Sequence, residues 1–102
     1  MTTKAPTKKL YELVVILKPD INEDDSKKNI SQIETAIKNY GGSIVKVEEP
    51  MRKKFAHRIK NYKDGFYVSV SFDSSPEVPN ILKRTLSISD DILRYMVVTK
   101  EG

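Results

Sequence analysis

The chain has 102 residues, of which 38% are hydrophobic, and this is the length and apolar content of one small globular domain. The sequence contains no cysteine, which excludes a disulfide scaffold, thiolate metal sites, cysteine nucleophiles and iron–sulfur clusters. The net charge of +4 is a mild basic bias that makes a nucleic acid a candidate partner without establishing one.

The start of the chain carries no targeting pattern. Residues 1–7 show no periodicity and predict a flexible tail, and residues 8–102 are expected to form a single domain. Residues 1–9 lack the hydrophobic segment of a secretory signal. The longest apolar run, residues 13–17, is far shorter than the ~20 residues of a membrane helix. We therefore expect a soluble, cytoplasmic protein.

The first two predicted elements are a buried strand and an amphipathic helix. Residues 10–17 are apolar on both faces, which predicts a central strand that ends before Pro19. Residues 22–40 follow a helical period, with acidic residues in the first turn and Gly41-Gly42 as the C-terminal stop. The apolar positions of this helix form one stripe: Ile30, Ile33, Ala36, Ile37 and Tyr40.

The middle of the chain predicts two strands joined by a hairpin turn. A second strand covers residues 44–59 and is interrupted at Pro50, which indicates an edge strand or a bulge. The turn is expected within residues 61–65, because Asp-Gly is the strongest short hairpin signal. Residues 66–73 alternate strictly between apolar and polar side chains and form the third strand.

A second helix and a last strand complete the chain. Ser75 is the expected helix cap and Pro76 the first helical residue, and residues 92–99 form the fourth strand. The helix has an apolar stripe of Val78, Ile81, Leu82 and Leu86. The order β-α-β-β-α-β predicts an α+β, ferredoxin-like fold, in which a four-stranded antiparallel sheet carries both helices on one face. The first and third strands are central and the second and fourth are edges.

Strand alternation separates two faces of this sheet. The face toward the helices is expected to hold Tyr11, Leu13, Val15, Leu17, Phe66, Val68, Val70 and Phe72. The opposite face should be polar, yet it is expected to present Val14, Ile16, Tyr67, Met96 and Val98. Cationic residues are expected to flank this strip: Arg52, Lys54, Arg58 and Arg94. An apolar centre with a charged rim is typical of an interaction surface, although apolar residues also lie singly exposed on many proteins.

The densest charge lies in residues 51–58, where five of eight residues are basic if His57 is counted. Arginine and lysine on an edge strand reach phosphates, and we expect Phe55 to anchor the strand inward. The same charges also serve to prevent edge-to-edge aggregation, so charge alone leaves both interpretations open.

No pattern in the sequence indicates catalysis, and we expect no catalytic residue, metal site or cofactor. A single histidine without cysteine cannot form a usual zinc site. Gly41-Gly42 lacks the spacing and the lysine of a phosphate-binding loop. The adjacent carboxylates Glu48 and Glu49 would point to opposite faces of a strand, which makes them a poor acid–base pair.

Several short motifs, in order and with the right spacing, resemble the bacterial small-subunit ribosomal protein S6 family. They are Lys9-Leu10-Tyr11-Glu12, Leu17-Lys18-Pro19, Asn39-Tyr40-Gly41-Gly42, Lys46-Val47-Glu48-Glu49, Arg52-Lys53-Lys54-Phe55-Ala56, Gly65-Phe66-Tyr67 and Ile92-Leu93-Arg94-Tyr95-Met96-Val97-Val98. The resemblance extends from about residue 8 to residue 100. His57-Arg58 departs from it, because family members often carry an aromatic residue followed by proline there.

The resemblance implies a structural constituent of the small ribosomal subunit without catalytic activity. The family binds the central domain of small-subunit ribosomal RNA together with ribosomal protein S18, as a heterodimer. Carried over by position, the candidates for contacts with RNA or at the rim of the partner surface are Arg52, Lys53, Lys54, Arg58 and Arg94. The candidates for the protein-partner surface are Val14, Ile16, Tyr67, Met96 and Val98.

Two alternatives share the predicted fold. An RNA-recognition module would stack bases on aromatic residues of the central strands, but the outward positions of the third strand offer only Tyr67. An acylphosphatase-like enzyme would need a glycine-rich loop with an arginine after the first strand, and Lys18-Pro19-Asp20 provides neither.

Overall fold

The computed structural model describes residues 8–100, and the predicted tail, residues 1–7, lies outside the described residues, as do residues 101 and 102. That residues 8–102 form one domain stays a prediction. The elements in chain order are β1 (Lys9–Leu17), α1 (Glu23–Asn39), β2 (Ser43–Val47), β3 (Met51–Ile59), β4 (Tyr62–Ser74), α2 (Val78–Ser87) and β5 (Ile92–Lys100).

The predicted α+β, ferredoxin-like arrangement is confirmed, but the antiparallel sheet has five strands and not four. Its order is β2-β4-β1-β5, and β3 pairs with β4 as well. The expected second strand is divided because Pro50 has no N–H to donate to the ladder. Pairing continues to Glu48, whose N–H donates to the Ser69 carbonyl oxygen at 2.9 Å, and resumes at Met51 opposite Tyr67.

The hairpin turn lies closer to β3 than predicted. Ile59 pairs with Tyr62, and Lys60 and Asn61 form the turn with φ of 49° and 72°. Two successive positive φ values match the twist of the flanking strands. The Asp-Gly pair expected to make the turn lies inside β4. There a Cβ on Gly65 would be 2.6 Å from the Leu17 carbonyl oxygen, so this glycine permits close packing.

Both helices begin and end for identifiable local reasons. The Asn22 side chain caps α1 by accepting a hydrogen bond from the Asp25 N–H at 2.7 Å, and Gly41 ends the helix with φ of 84°. Helix α2 begins at Val78 and not at Pro76, because Ser75 makes a turn first: its carbonyl oxygen accepts from the Val78 N–H at 3.2 Å. Pro79 is then the proline of the first helical turn.

The core lies between the helices and one face of the sheet. Tyr11 and Phe72 stack there with ring centroids 5.6 Å apart. The predicted inward face of the sheet is confirmed for Tyr11, Leu13, Val15, Leu17, Val68, Val70 and Phe72, with Phe66 partly buried against them. Ile33, Ile37, Val78, Leu82 and Leu86 supply the helical side of the core. The predicted stripe of α1 is wrong at its last position, since Tyr40 is 54% exposed. Neither helix within residues 8–100 has the length and apolarity needed to cross a membrane.

A buried polar network ties α1 to the loop that precedes β5. Asn29 is 7% exposed and donates to Asp91 Oδ2 at 3.0 Å and to the Asp25 carbonyl oxygen at 2.8 Å, while its own oxygen accepts from the Ser89 hydroxyl at 3.0 Å. Lys18 Nζ lies 3.3 Å from Asp91 Oδ1. Hydrogen bonds from Asn29 and the Lys18 ammonium lower the pKa of Asp91.

We predict that Asn29→Ala lowers the free energy of unfolding by roughly 2 kcal/mol, because it removes the two hydrogen bonds that join α1 to the half-buried Ser89 and Asp91. Urea denaturation followed by circular dichroism measures this change. Gln32→Ala, an exposed amide on the same helix, is the matched control and should change the free energy of unfolding little. Equal stability of both variants would show that the network contributes nothing.

Candidate functional site

The sheet face opposite the helices, called here the outer face, presents an apolar strip across β4, β1 and β5. Cross-strand partners share a face, and the register pairs Val14 with Met96 and Ile16 with Tyr67. Met96 is 50% exposed and Val98 is 44% exposed, while Val14 and Tyr67 are half-buried. Four of the five residues predicted for this surface are therefore accessible together on one face.

The fifth residue, Ile16, lies on the outer face but is buried, at 5% exposure. Phe55 of β3 and Ile16 close over Gly65: Phe55 Cζ is 2.9 Å and Ile16 Cγ2 is 3.1 Å from the position of a Cβ on this glycine. The Phe55 ring is 6.2 Å from the Tyr67 ring, centroid to centroid. The expectation that Phe55 anchors inward is therefore wrong, because it packs on the outer face and covers one end of the apolar strip.

The cationic residues of β3 alternate between the two faces, with a different parity from the one predicted. Lys53 pairs with Gly65 and lies on the outer face, where its Nζ is 5.3 Å from the centre of the Tyr67 ring. Arg52 and Lys54, expected to flank the apolar strip, lie on the helix-bearing side of the sheet. Arg52 is held there by Asp64, with its Nε 3.0 Å from Oδ2, and by the ring of Phe66, 5.8 Å away. On β5, Arg94 is exposed opposite Ile16 and belongs to the outer face.

The hairpin formed by residues 51–64, called here the basic arm, accounts for the net positive charge of the chain. It contains six lysines and arginines against a single aspartate, a net charge of +5, whereas the whole chain carries +4. The rest of the chain therefore has a net charge of −1. The six basic side chains are all exposed: Arg52, Lys53, Lys54, Arg58, Lys60 and Lys63.

The prediction of candidate residues missed Lys60, which lies in the turn, and Lys63, which follows the turn on β4. Counting charge over the whole hairpin and not over the densest run of residues would have found them. Lys63 lines a shallow depression of about 470 Å³ on the arm together with Lys54, Arg58 and Asp64. Closely spaced cations of this kind attract a polyanion more than a single anionic group.

A polar group of three residues borders the apolar strip. Glu12 accepts a hydrogen bond from the Ser69 hydroxyl at 2.7 Å, and Lys100 Nζ lies 3.5 Å from its other carboxylate oxygen. The hydrogen bond from Ser69 lowers the pKa of Glu12, and the charge of Lys100 lowers it further. These contacts link β4, β1 and β5 on the outer face. The arrangement keeps Glu12 charged and paired beside an apolar surface.

The chemistry available on the outer face and the basic arm is that of binding. No group of three or more His, Asp or Glu among residues 8–100 could hold a metal ion. His57 is exposed on the basic arm, away from the paired carboxylates of the outer face and of the loop before β5. Apolar contact and attraction of negative charge are what these surfaces can supply.

The chain is similar to known proteins in both sequence and fold. A family model described as Ribosomal protein S6 matches residues 10–99. The small ribosomal subunit protein bS6 of Caldanaerobacter subterraneus is 36% identical over 88 residues, which cover 86% of this chain and 93% of that protein. The bS6 protein of Moorella thermoacetica is 32% identical over 91 residues, covering 89% and 93%. The crystal structure of 30S ribosomal protein S6 from Thermotoga maritima has the same fold, with a TM-score of 0.86 at 23% identity, covering 92% of this chain and 89% of that one.

The lowered pKa values of Glu12 and Asp91 predict an acid-labile fold. A carboxyl group whose pKa is lower when folded adds stability above its unfolded pKa and loses it as the pH falls through the folded value. We expect the free energy of unfolding to decrease as the pH drops below 4.5, the ordinary pKa of glutamate. Urea titrations between neutral pH and about pH 3 measure this decrease.

The variant Glu12→Gln should be less stable than the wild-type protein at neutral pH and should show a shallower decrease in acid. Glu34→Gln, on α1 and therefore away from the outer face, is the control and should keep the wild-type slope. An unchanged slope in Glu12→Gln would contradict the role given to the Ser69 and Lys100 contacts.

Proposed function

Since the chain belongs to the ribosomal protein S6 family, it is a structural, non-catalytic protein of the small ribosomal subunit, and we propose that it binds the central domain of the small-subunit ribosomal RNA together with ribosomal protein S18. The two proteins would form a heterodimer in the cytoplasmic ribosome. Family membership decides against the acylphosphatase-like enzyme. The observation that carries the proposal is the position of an apolar strip next to a hairpin that holds all the net positive charge.

We assign the outer face to the protein partner. An exposed, contiguous apolar patch with a polar border is typical of protein–protein interfaces, in which charged residues are depleted from the centre and collect at the rim. The assigned centre consists of Val14, Ile16, Tyr67, Met96 and Val98. Ile16 would act from below the surface, by holding Tyr67 and Phe55 in place, and Lys53 and Arg94 would form the rim.

We assign the basic arm to RNA. Its lysines and arginines are exposed on both sides of the hairpin, so phosphates can approach from two directions. Arg52, Lys53, Lys54 and Arg58 are the residues that the sequence predicts, and the arm adds Lys60 and Lys63. An ordered hairpin presents these charges at fixed spacing, which suits the shape of a folded RNA better than a flexible basic tail would.

Two surfaces on one small protein explain why its partners would act together. Binding of ribosomal protein S18 to the outer face would place a second RNA-binding protein beside the basic arm, so that both bind one RNA as a unit. The second contact is then intramolecular, which raises affinity without any new interaction. We therefore expect weak RNA binding by this protein alone and much stronger binding by the heterodimer.

The variant Val14→Asp should reduce the affinity for ribosomal protein S18 roughly a hundredfold or more, because it buries an unpaired charge in the interface. Isothermal titration calorimetry measures the affinity, and circular dichroism checks the fold. Gln32→Asp, the same charge change on the exposed side of α1, should bind normally. Val98→Asp, on the edge strand, provides a second test if Val14→Asp is unstable. Wild-type affinity in both folded aspartate variants of the outer face would contradict the assignment.

Replacing Lys54, Arg58 and Lys63 by alanine should weaken binding of the heterodimer to a central-domain RNA fragment. The slope of log K against log salt should decrease by about one for each phosphate that the protein no longer neutralises. The control replaces Lys28, Lys38 and Lys83, three exposed helix lysines, by alanine and so removes the same charge elsewhere. Filter binding at several salt concentrations distinguishes the two triple variants. Equal effects would mean that net charge, and not the basic arm, governs binding.

A further inference from the structure

We infer that Met51 and Met96 form an oxidation site on the outer face, at which hydrogen peroxide converts the free protein into a form that binds its protein partner more weakly. The inference rests on the proposed function of the outer face. Met51 is 59% exposed and Met96 is 50% exposed. They are the only methionines among residues 8–100, and both belong to the same surface.

The register places these two side chains at opposite ends of the apolar strip. Met51 on β3 is the cross-strand partner of Tyr67, and Met96 on β5 is the partner of Val14. Three strand intervals separate β3 from β5 in the sheet, which corresponds to about 14 Å. A partner that covers the strip from Tyr67 to Val98 must therefore lie against at least one of the two thioethers, and against both if it spans all four strands.

The reaction requires only an accessible thioether and a peroxide. The sulfur of methionine takes one oxygen atom from hydrogen peroxide, so that an S–O bond forms, the O–O bond breaks and water leaves. The sulfur is oxidised by two electrons and the peroxide is reduced by two. The product, methionine sulfoxide, is polar and chiral, and sulfoxide reductases return it to methionine.

The consequence differs before and after docking. In the free protein the sulfoxide stays hydrated on an exposed strand surface, so the fold should tolerate it. In the complex the same S=O group would be buried without a hydrogen-bond donor to replace water, and this lowers the affinity. Docking in turn covers the thioethers and protects them. The site would therefore act on newly made protein and leave the assembled complex untouched.

The first measurement follows oxidation itself. The free protein is treated with hydrogen peroxide, catalase removes the excess, and peptide mass mapping quantifies each methionine. We expect Met51 and Met96 to gain one oxygen each, with an unchanged circular dichroism spectrum. When ribosomal protein S18 is bound, at least one of them should react about tenfold more slowly. Equal rates with and without the partner would overturn the inference.

The second measurement compares affinities. Oxidised protein should bind untreated ribosomal protein S18 at least about tenfold more weakly than reduced protein, and treatment with methionine sulfoxide reductases should restore the affinity. The double variant Met51→Leu/Met96→Leu keeps the apolar volume and should bind equally well before and after peroxide. The single variants show which methionine accounts for the loss.

The outcomes separate this inference from the proposed function. If reduced protein binds ribosomal protein S18 and oxidised protein binds it equally well, the oxidation site is overturned and the proposed function stands. If reduced protein does not bind ribosomal protein S18 at all, the proposed function fails and the inference fails with it. Loss of affinity in the oxidised double variant would place the sensitive group elsewhere and would also overturn the inference.

Discussion

The pairing of one long strand, β4, holds this protein together. Its 13 residues pair with β1 along one edge and with β2 and β3 in succession along the other. Alternation along β4 therefore decides both faces at once: Val68, Val70 and Phe72 face the helices, while Tyr67 and Ser69 face outward. The helices cover only one of these faces. On the other face Phe55 covers Ile16, whereas Met96 and Val98 are exposed, and that constraint underlies the functional assignment.

Gly65 links the fold to the outer face. The lack of a side chain lets the backbone of β4 approach the Leu17 carbonyl oxygen, and it leaves room for Phe55 and Ile16 above. The long hairpin is thus anchored by apolar contact at its base, on the same face that carries the exposed strip. Its charged part beyond this anchor contributes nothing to the core. Packing of the core therefore does not constrain which charged side chains the basic arm carries, and the requirements of binding can determine them.

The sequence predicted what short-range patterns determine and failed where distant contacts decide. Strict alternation in residues 66–73 identified the central strand and its inward face, because a repeat of two residues indicates a strand with one buried face. The Asp-Gly signal misplaced the turn, since Gly65 is needed for packing against β1. The inward–outward alternation of β2 could not be extended past Pro50, so it did not predict which side chains of β3 face outward. Arg52 and Phe55 were therefore assigned to the wrong faces. Asn29 was missed because its partner Asp91 is 62 residues away.

Lys53 joins the two surfaces that the proposed complex needs. Its ammonium lies 5.3 Å from the Tyr67 ring, so in the free protein an aromatic face of the apolar strip already attracts a cation of the basic arm. A phosphate near Lys53 and a partner side chain against Tyr67 would both act on this contact between ammonium and ring. Removing water from Tyr67 strengthens its attraction for the ammonium and fixes the position of the cation. Docking of the protein partner would then hold Lys53 of the basic arm in place for RNA. This single contact gives a physical reason for the protein partner to bind before the RNA.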